Sequence, residues 1–273
     1  MLTKFPTSYA ITPLAGRVTA SVTRLPSSDH RILLKKRAWL HKYTVLVPPD
    51  LKTRGVPNPA GATLVFAQEE AGTAICLSPN GVLLTCSHCV AETEQELSWD
   101  KQHWLLFASG DVVAAKTIAW DAKRDLALMI ITSASQSSFP HIRLSSSAPK
   151  LRASLLCVGH PGSEDLEASI PGVQTNYDTL VLSKGRFRGL AAGQDPQDNQ
   201  EIGALMHDCW TYWGHSGAPL VDANTGCLVG VHSSWDEDTG MRRGIPWQAL
   251  SSFLEEVDGS GQRLPEGWKW YQQ

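Results

Sequence analysis

The sequence predicts an all-β chain that folds into two six-stranded antiparallel β-barrels followed by a C-terminal helix. From residue 60 onward, short apolar segments alternate with Gly, Pro and Asn turns, as in "GTAICLSPNGVLLTC", where Pro79-Asn80-Gly81 is a strong hairpin signal. A helical pattern with Pro246 at its first turn, "WQALSSFLEEV", appears only near the end of the chain. The 273 residues are 42% hydrophobic and 19% charged, which suits a well-packed globular protein.

The segments divide in chain order into an arm, two barrels and a helix. Residues 1–59 form a basic N-terminal arm, and residues 60–258 form the main domain. Within this domain we expect barrel one at about 60–135, a Ser- and Pro-rich linker at 136–150, barrel two at 151–246 and a helix at 247–257. A C-terminal tail follows at 259–273.

The N-terminal arm carries most of the positive charge. Residues 1–60 have a balance of +8 within a chain whose net charge is −3. Residues 1–28 lack acidic side chains, which fits a mitochondrial transit peptide, although three prolines favour an arm lying on the barrels. The "RILLKKRAWLHK" segment is either a nuclear or nucleic-acid-binding patch or a solvated basic face on a short strand or helix.

Cysteine usage predicts an intracellular protein, in the cytoplasm or nucleus, with the mitochondrion as an alternative. The chain opens without an apolar signal-peptide core and contains no run of about 18 apolar residues, so we expect no membrane association. Six cysteines in apolar strand patterns are expected to be free thiols. Cys86 and Cys89 flank His88, but no second ligand pair follows at zinc-finger spacing, so neither a metal nor another cofactor is expected.

Three residues in chain order suggest acyl-transfer chemistry: His88 in "LLTCSHCV", Asp125 in "AWDAKRDLALMII" and Ser216 in "WGHSGAPLVD". A serine hydroxyl needs an imidazole to accept its proton, and the imidazole needs a carboxylate to fix its tautomer. The backbone N–H groups of Gly214 and Ser216 are candidates for an oxyanion hole. Asp121 competes with Asp125 for the carboxylate position.

The order of the three residues argues against two other hydrolase classes. An α/β-hydrolase runs Ser, acid, His and needs G-x-S-x-G, whereas Ala218 stands where the last glycine belongs. The subtilisin order needs an Asp before His88, and only Asp29 and Asp50 precede it, both in poor contexts.

These motifs resemble the trypsin-like peptidase superfamily, and most of all its HtrA/Deg-type and glutamyl-endopeptidase branches, from about Gly61 to Val257. "GTAICLSPNGVLLTCSHCV" is similar to the strand that carries the catalytic His, and "WDAKRDLALMII" to the segment that carries the catalytic Asp, with Asp125 at the matching place. "LRASLLCVGHPG" resembles the opening strand of barrel two, and "HDCWTYWGHSGAPLVDANTGCLVGVHS" the nucleophile loop and pocket wall.

The chain also departs from this family pattern. His215 replaces the usual Asp or Asn before the nucleophile, and Ala218 replaces a second glycine. Secreted relatives bridge the Cys after the catalytic His to an upstream Cys, but Gly72 stands opposite Cys89. No PDZ-sized segment follows Val257.

The resemblance also suggests a specificity pocket. His232, on the strand that would wall it, and Thr211, five residues before Ser216, are similar to glutamyl endopeptidases. Arg242, or its neighbour Arg243, can add positive charge for an acidic substrate side chain. The alternative is a small neutral pocket of HtrA type.

The sequence therefore predicts an intracellular serine endopeptidase that acts on peptides or proteins through an acyl-enzyme, with an acidic residue preferred before the scissile bond. Two alternatives stay open. One is a catalytically silent protein-binding module on the same fold. The other is a nucleic-acid-associated protein that uses the basic arm, a use compatible with peptidase activity.

Overall fold

The predicted all-β fold is confirmed by a computed structural model of the chain. The structure describes residues 1–6, 10–14, 18–45, 49, 58–67 and 72–260. Two closed six-stranded antiparallel barrels are followed by a C-terminal helix. Most of the predicted tail, residues 261–273, lies outside the described residues.

Barrel one is built from strands that are buried along most of their length. Its six strands are β3 (Thr63–Phe66), β4 (Thr73–Cys76), β5 (Val82–Thr85), β6 (His103–Phe107), β7 (Val112–Asp121) and β8 (Leu126–Ala134). The sheet closes because β7 pairs with both β6 and β8. A 3₁₀ turn at Pro59–Ala62, capped by the side chain of Asn58, leads into β3.

Barrel two repeats this architecture after the linker. Its six strands are β9 (Ser154–Gly159), β10 (Val181–Leu190), β11 (Leu205–His207), β12 (Pro219–Asp222), β13 (Leu228–Trp235) and β14 (Arg242–Pro246). Helix α3 (Trp247–Gly259) follows β14 directly and buries Leu250, Phe253 and Leu254 in the core shared with barrel one. An apolar stripe at helical spacing accounts for this placement.

The N-terminal arm is part of barrel one, with more regular structure than the sequence predicts. Strand β1 (Leu2–Thr3) pairs with β7, and β2 (Thr12–Pro13) pairs in parallel with β8. Helices α1 (Ala20–Thr23) and α2 (Ser27–Lys42) follow.

The basic "RILLKKRAWLHK" segment therefore lies within a 16-residue helix, α2. This helix is anchored to barrel one by polar and apolar contacts. Lys36 Nζ donates to the Phe66 carbonyl at 2.7 Å, and the Trp104 indole donates to the Thr23 carbonyl, just before α2, at 3.0 Å. Residues 46–48 and 50–57 of the predicted arm lie outside the described residues. No helix in the described ranges is long and apolar enough to cross a membrane.

We expect Leu33→Ala to lower the free energy of unfolding by about 2–5 kcal/mol, because Leu33 is 0% exposed where α2 packs on barrel one. Its neighbour Leu34 is 42% exposed, so Leu34→Ala is the matched control and should change stability by no more than about 0.5 kcal/mol. Urea denaturation measures both. Equal losses in the two variants would contradict the docking of α2.

Candidate active site

His88 and Asp125 come from two adjacent turns of barrel one. His88 follows the end of β5 in a tight turn in which Val90 N–H donates to the Ser87 carbonyl at 3.0 Å. Asp125 lies in the turn from β7 to β8 with a φ of 54°, in the left-handed region that Asp tolerates better than most residues. Because β5 pairs with β8, the two turns lie side by side.

The Asp125 carboxylate accepts three hydrogen bonds through Oδ1. His88 Nδ1 lies at 2.9 Å, Ser87 Oγ at 2.9 Å and the His88 backbone N–H at 3.3 Å. This arrangement fixes the ring orientation and assigns the Nδ1 proton, which leaves Nε2 as the basic nitrogen. The residue is 3% exposed, so water competes little for the carboxylate.

Asp121, the competing carboxylate, is engaged elsewhere. It pairs with Arg124 NH1 at 2.7 Å and accepts the Arg124 backbone N–H at 3.2 Å. Arg124 in turn pairs with Glu256 on α3. Of the two aspartates, only Asp125 contacts His88 in the described structure.

The surroundings of His88 favour its protonated form. Burial lowers the pKa of its imidazole, but the Asp125 charge, the Cys89 sulfur and the hydrogen bonds to both outweigh burial and raise the pKa well above its usual value. A neutral His88 therefore requires a higher pH than a free histidine does.

Ser216 lies on the loop between β11 and β12 of barrel two, where two constraints set its position. Gly217 has a φ of 87°, and a Cβ there would lie 1.9 Å from the Thr73 carbonyl oxygen, so only glycine fits. Its N–H donates to the His232 carbonyl on β13 at 2.9 Å.

Thr73, on β4 of barrel one, holds this loop. Its backbone N–H donates to the Ser216 carbonyl at 2.8 Å, and its hydroxyl donates to the Gly214 carbonyl at 3.0 Å. The same hydroxyl accepts from the His160 backbone N–H at 3.0 Å. The sequence analysis did not identify Thr73, because its partners lie more than 80 residues away.

The N–H groups of Gly214 and Ser216 are available as an oxyanion hole. Within the part of the chain that the structure describes, neither donates a hydrogen bond to a protein acceptor. The peptide planes that carry these N–H groups are held through their carbonyls, because Gly162 N–H donates to the Trp213 carbonyl at 2.6 Å and Ala218 N–H donates to the His215 carbonyl at 2.8 Å.

The nucleophile candidate points away from the histidine in this structure. Ser216 Oγ donates to the Ser233 carbonyl at 3.0 Å, and no hydrogen bond joins it to His88 among the described residues. His88, Asp125 and Ser216 nevertheless line one cleft of about 330 Å³. Hydrogen bonds between a nucleophile and its base are often long or unformed before substrate binds.

His232 lines the same cleft and is backed by a second histidine. Its Nδ1 lies 3.0 Å from His207 Nε2, which leaves its own Nε2 towards the cleft. Burial, followed by the nearby histidines and Arg242, lowers the pKa of His232 well below its usual value, so the ring is neutral.

The other two specificity candidates contact each other, but only Thr211 lines the cleft. Thr211 is buried in the wall of the cleft. The Arg242 guanidinium instead donates to the Gly240 carbonyl at 2.8 Å and to the Thr211 carbonyl at 3.5 Å, and it stacks on Trp235. Arg242 is not among the residues that line the cleft, and Arg243 pairs with Asp236 at 3.2 Å.

The six cysteines are free thiols in the structure. A Cβ at Gly72 would lie 3.1 Å from the Cys89 sulfur, so Gly72 does stand opposite Cys89. The Cys86 sulfur, a His88 ring nitrogen and an Asp125 oxygen lie within 4.8 Å of one another, a set that could hold a metal ion. Two of these three groups already bond each other, and the prediction of no metal stays a prediction.

Ser87 and Ser233 also belong to the site, and of these two residues the sequence pointed only to Ser87, in the segment that carries His88. Ser87 donates to Asp125, and the Ser233 carbonyl accepts from Ser216. The position of Ser87 directly before His88 indicates that its hydroxyl lies close to the site. The contribution of Ser233 is a backbone carbonyl, and no residue type marks it.

Comparisons with known proteins agree with this geometry. Residues 72–231 match the family model described as "Trypsin-like peptidase domain". A serine endoprotease from Yersinia pestis is 19% identical, with a TM-score of 0.56 over 80% of this chain and 69% of that chain.

Two further structures are similar in fold. The HtrA-type protease AlgW, solved as a variant with a decapeptide, is 17% identical, with a TM-score of 0.58 over 80% of this chain and 68% of that chain. An inactive mutant form of a Mycobacterium tuberculosis H37Rv protein is 16% identical, with a TM-score of 0.54 over 81% and 98%.

A comparison with curated protein sequences found no match. At these identities the solved structures establish the fold alone, whereas the family model covers more than half of the chain. The resemblance that the motifs suggested is therefore confirmed, and the chain belongs to the family of trypsin-like peptidase domains.

Proposed function

We propose that the chain is a serine endopeptidase that cleaves peptide bonds through an acyl-enzyme. The observation that carries this proposal is the His88–Asp125 pair, which shares a cleft with Ser216 and with two unoccupied backbone N–H groups. A nucleophile, a base, an orienting carboxylate and an oxyanion hole are the complete set that acyl transfer requires.

In the first half of the reaction, Ser216 Oγ attacks the scissile carbonyl and His88 Nε2 takes the hydroxyl proton. Asp125 holds the ring through Nδ1 and stabilises the imidazolium that forms. The N–H groups of Gly214 and Ser216 donate to the carbonyl oxygen as it becomes negative. His88 then gives its proton to the leaving amine, and the acyl group stays on Ser216.

In the second half, water attacks the acyl-enzyme with His88 again as the base. Before the first step Ser216 must leave the Ser233 carbonyl and turn towards His88. Exchanging one hydrogen bond for another in this way has a small net cost, because a typical hydrogen bond contributes about 0.5–1.5 kcal/mol.

We further propose an intracellular setting, because Cys89, which lies next to the site, has no cysteine opposite it. Gly72 occupies the place from which a disulfide partner would reach the Cys89 sulfur. Four of the other thiols, those of Cys76, Cys86, Cys157 and Cys209, are fully buried, as expected for small apolar side chains.

For specificity we propose a preference for Glu or Asp before the scissile bond, with small neutral residues as the alternative. Thr211 and the neutral His232 supply hydrogen-bond donors in the cleft, and Arg242 adds positive charge behind them. Cleavage after Lys or Arg is not expected, because Asp208 is paired with Arg188 on β10. The remaining walls carry Glu92, Glu201 and Glu237, which oppose acidic side chains at other substrate positions.

Ser216→Ala should abolish labelling by a fluorophosphonate and lower peptide hydrolysis by a factor of about 10⁴ or more, because the nucleophilic oxygen is gone. Ser251→Ala, on the outer part of α3, removes a hydroxyl far from the cleft and is the control that keeps the label. Labelling followed by gel fluorescence measures both. Unchanged hydrolysis by Ser216→Ala would contradict the mechanism, and an unlabelled wild type would favour the silent binding module.

The acylation rate should rise with pH, because only neutral His88 accepts a proton and its pKa is raised above the usual value. In Asp125→Asn the negative charge is lost, so the midpoint of the pH profile should shift downwards and the maximal rate should fall by about 10⁴. Asp121→Asn is the matched control and should leave the midpoint unchanged, because Asp121 pairs with Arg124. A midpoint that moves in Asp121→Asn alone would assign the carboxylate to Asp121.

His232→Ala should reduce the preference for Glu over Ala before the scissile bond. A matched polar contact in a desolvated pocket contributes about 2–5 kcal/mol, so the ratio should change by a factor of about 30 or more. A peptide library varied at that position measures the ratio, with His141→Ala, remote from the cleft, as the control. A ratio that stays the same in His232→Ala would support the small neutral pocket instead.

A further inference from the structure

Two cysteines flank the candidate general base, and the mechanism uses neither. Cys86 ends the segment that enters from β5, and Cys89 follows His88 directly, so the spacing is C-x-x-C. Val90 and Ala91 N–H both donate to the Ser87 carbonyl at 3.0 Å, so a tight turn begins directly after Cys86 and contains Cys89.

Both thiols reach across to barrel two. Cys86 Sγ donates to the His232 carbonyl at 3.5 Å, and Cys89 Sγ donates to the Ser216 carbonyl at 3.5 Å. The two carbonyls lie close together, because the N–H of Gly217, the residue after Ser216, donates to the His232 carbonyl at 2.9 Å. The two cysteines therefore connect the turn that carries His88 with strand β13, which carries His232, and with the loop that carries Ser216.

The two sulfurs differ in reactivity in the way that disulfide formation requires. Cys89 is partly exposed, and the hydrogen bond from Cys86, followed by His88, lowers the pKa of its thiol to about 5 against the effect of burial. Cys86 is buried, and burial raises the pKa of its thiol. Burial also raises the pKa of Cys76 and Cys209 to about 12, so those thiols are unreactive.

The candidate partner of Cys89 is Cys86, which lies three residues before it and bonds a neighbouring carbonyl of barrel two. Gly72 offers no sulfur on the opposite side, although a Cβ there would lie 3.1 Å from Cys89 Sγ. The thiol of Cys86 is therefore the resolving partner available to an oxidised Cys89.

We propose that Cys86 and Cys89 are an oxidation site at which a hydroperoxide forms an intramolecular disulfide that displaces His88 from its position against Asp125 and Ser216. The loss of activity rests on the proposed peptidase function, whereas the disulfide itself does not. The C-x-x-C spacing around His88 and the hydrogen bonds of both thiols to two neighbouring carbonyls of barrel two carry the proposal.

The chemistry balances with hydrogen peroxide as the oxidant. The Cys89 thiolate attacks one peroxide oxygen, the O–O bond breaks, and sulfenic acid forms with release of hydroxide. The Cys86 thiol then attacks that sulfur, the S–O bond breaks, and the oxygen leaves as water once protonated. Two thiols have lost two electrons and two protons, and one peroxide has become two waters.

The bond would act on His88 from both sides. Oxidation removes the S–H donor of Cys86, so the His232 carbonyl loses that hydrogen bond. It also draws together the two residues between which Ser87 and His88 are held. Both Ser87 and His88 bond Asp125, so we expect their hydrogen bonds to Asp125 to change when the disulfide forms.

The test begins with the reduced full-length chain, exposed to increasing hydrogen peroxide, alkylated and mapped by mass spectrometry. The peptide that contains Cys86 and Cys89 should lose two hydrogens and become protected from alkylation, and dithiothreitol should reverse both changes. Cys86→Ala and Cys89→Ala should not form this product, whereas Cys227→Ser, which removes a partly exposed thiol elsewhere, should form it normally. Alkylatable Cys89 at peroxide levels that oxidise Cys227 would overturn the proposal.

The effect on His88 is read in two ways. The rate of fluorophosphonate labelling should fall by about 100-fold on oxidation of wild type and return with dithiothreitol, since small misplacements of a catalytic group have effects of this size. In each cysteine variant the rate should stay near its own reduced value. A disulfide that leaves the labelling rate unchanged would overturn the proposal.

The second measurement needs no catalysis. The low-field proton resonance of the His88 Nδ1–H···Asp125 hydrogen bond should vanish on oxidation and return on reduction, also in Ser216→Ala. If the reduced protein never reacts with the fluorophosphonate, the proposed peptidase function fails. The His88 resonance and the mass-spectrometric map of the disulfide still test the oxidation of Cys86 and Cys89 in that case. A resonance that persists in the oxidised protein would overturn it.

Discussion

The contact on which the site depends is made by Thr73 across the two barrels. Its N–H and hydroxyl bind the carbonyls of Ser216 and Gly214, and its own carbonyl accepts from the Thr85 hydroxyl at 2.8 Å. The nucleophile loop of barrel two is thereby fixed to the strands of barrel one that lead to His88. The two candidate oxyanion N–H groups belong to the neighbouring peptide units, whose Trp213 and His215 carbonyls accept from Gly162 and Ala218 N–H at 2.6 Å and 2.8 Å, so the whole loop is held from several sides.

Barrel closure explains why such short turns can hold functional groups. Strands β5 and β8 pair along their length, so the turns that follow and precede them are kept adjacent. The left-handed backbone at Asp125 and the close approach at Gly217 are tolerated because the surrounding hydrogen bonds over-determine both positions. Rigid strands therefore supply the geometry, and the loops supply the chemistry.

Two histidines that line the cleft, His88 and His232, have opposite shifts of pKa. The imidazole of His88 is held towards its protonated form by Asp125 and the neighbouring sulfur, whereas burial keeps His232 neutral. One histidine is thus suited to proton transfer and the other to hydrogen bonding. The sulfur of Cys89 raises the pKa of His88, and His88 in turn lowers the pKa of the Cys89 thiol. The thiol pair and the proposed base therefore influence each other's protonation.

The sequence by itself determined the strand pattern, the two-barrel fold, the late helix and the order of His88, Asp125 and Ser216, because local periodicity and short motifs encode them. Tertiary structure decided what depends on distant partners. Examples are helix α2 packed on barrel one, Thr73 bound to the nucleophile loop, and Arg242 turned towards Thr211 and Trp235. Only the assembled barrels showed that Asp121 is held by Arg124 while Asp125 meets His88, since two aspartates four residues apart have similar local patterns and differ in what packs against them.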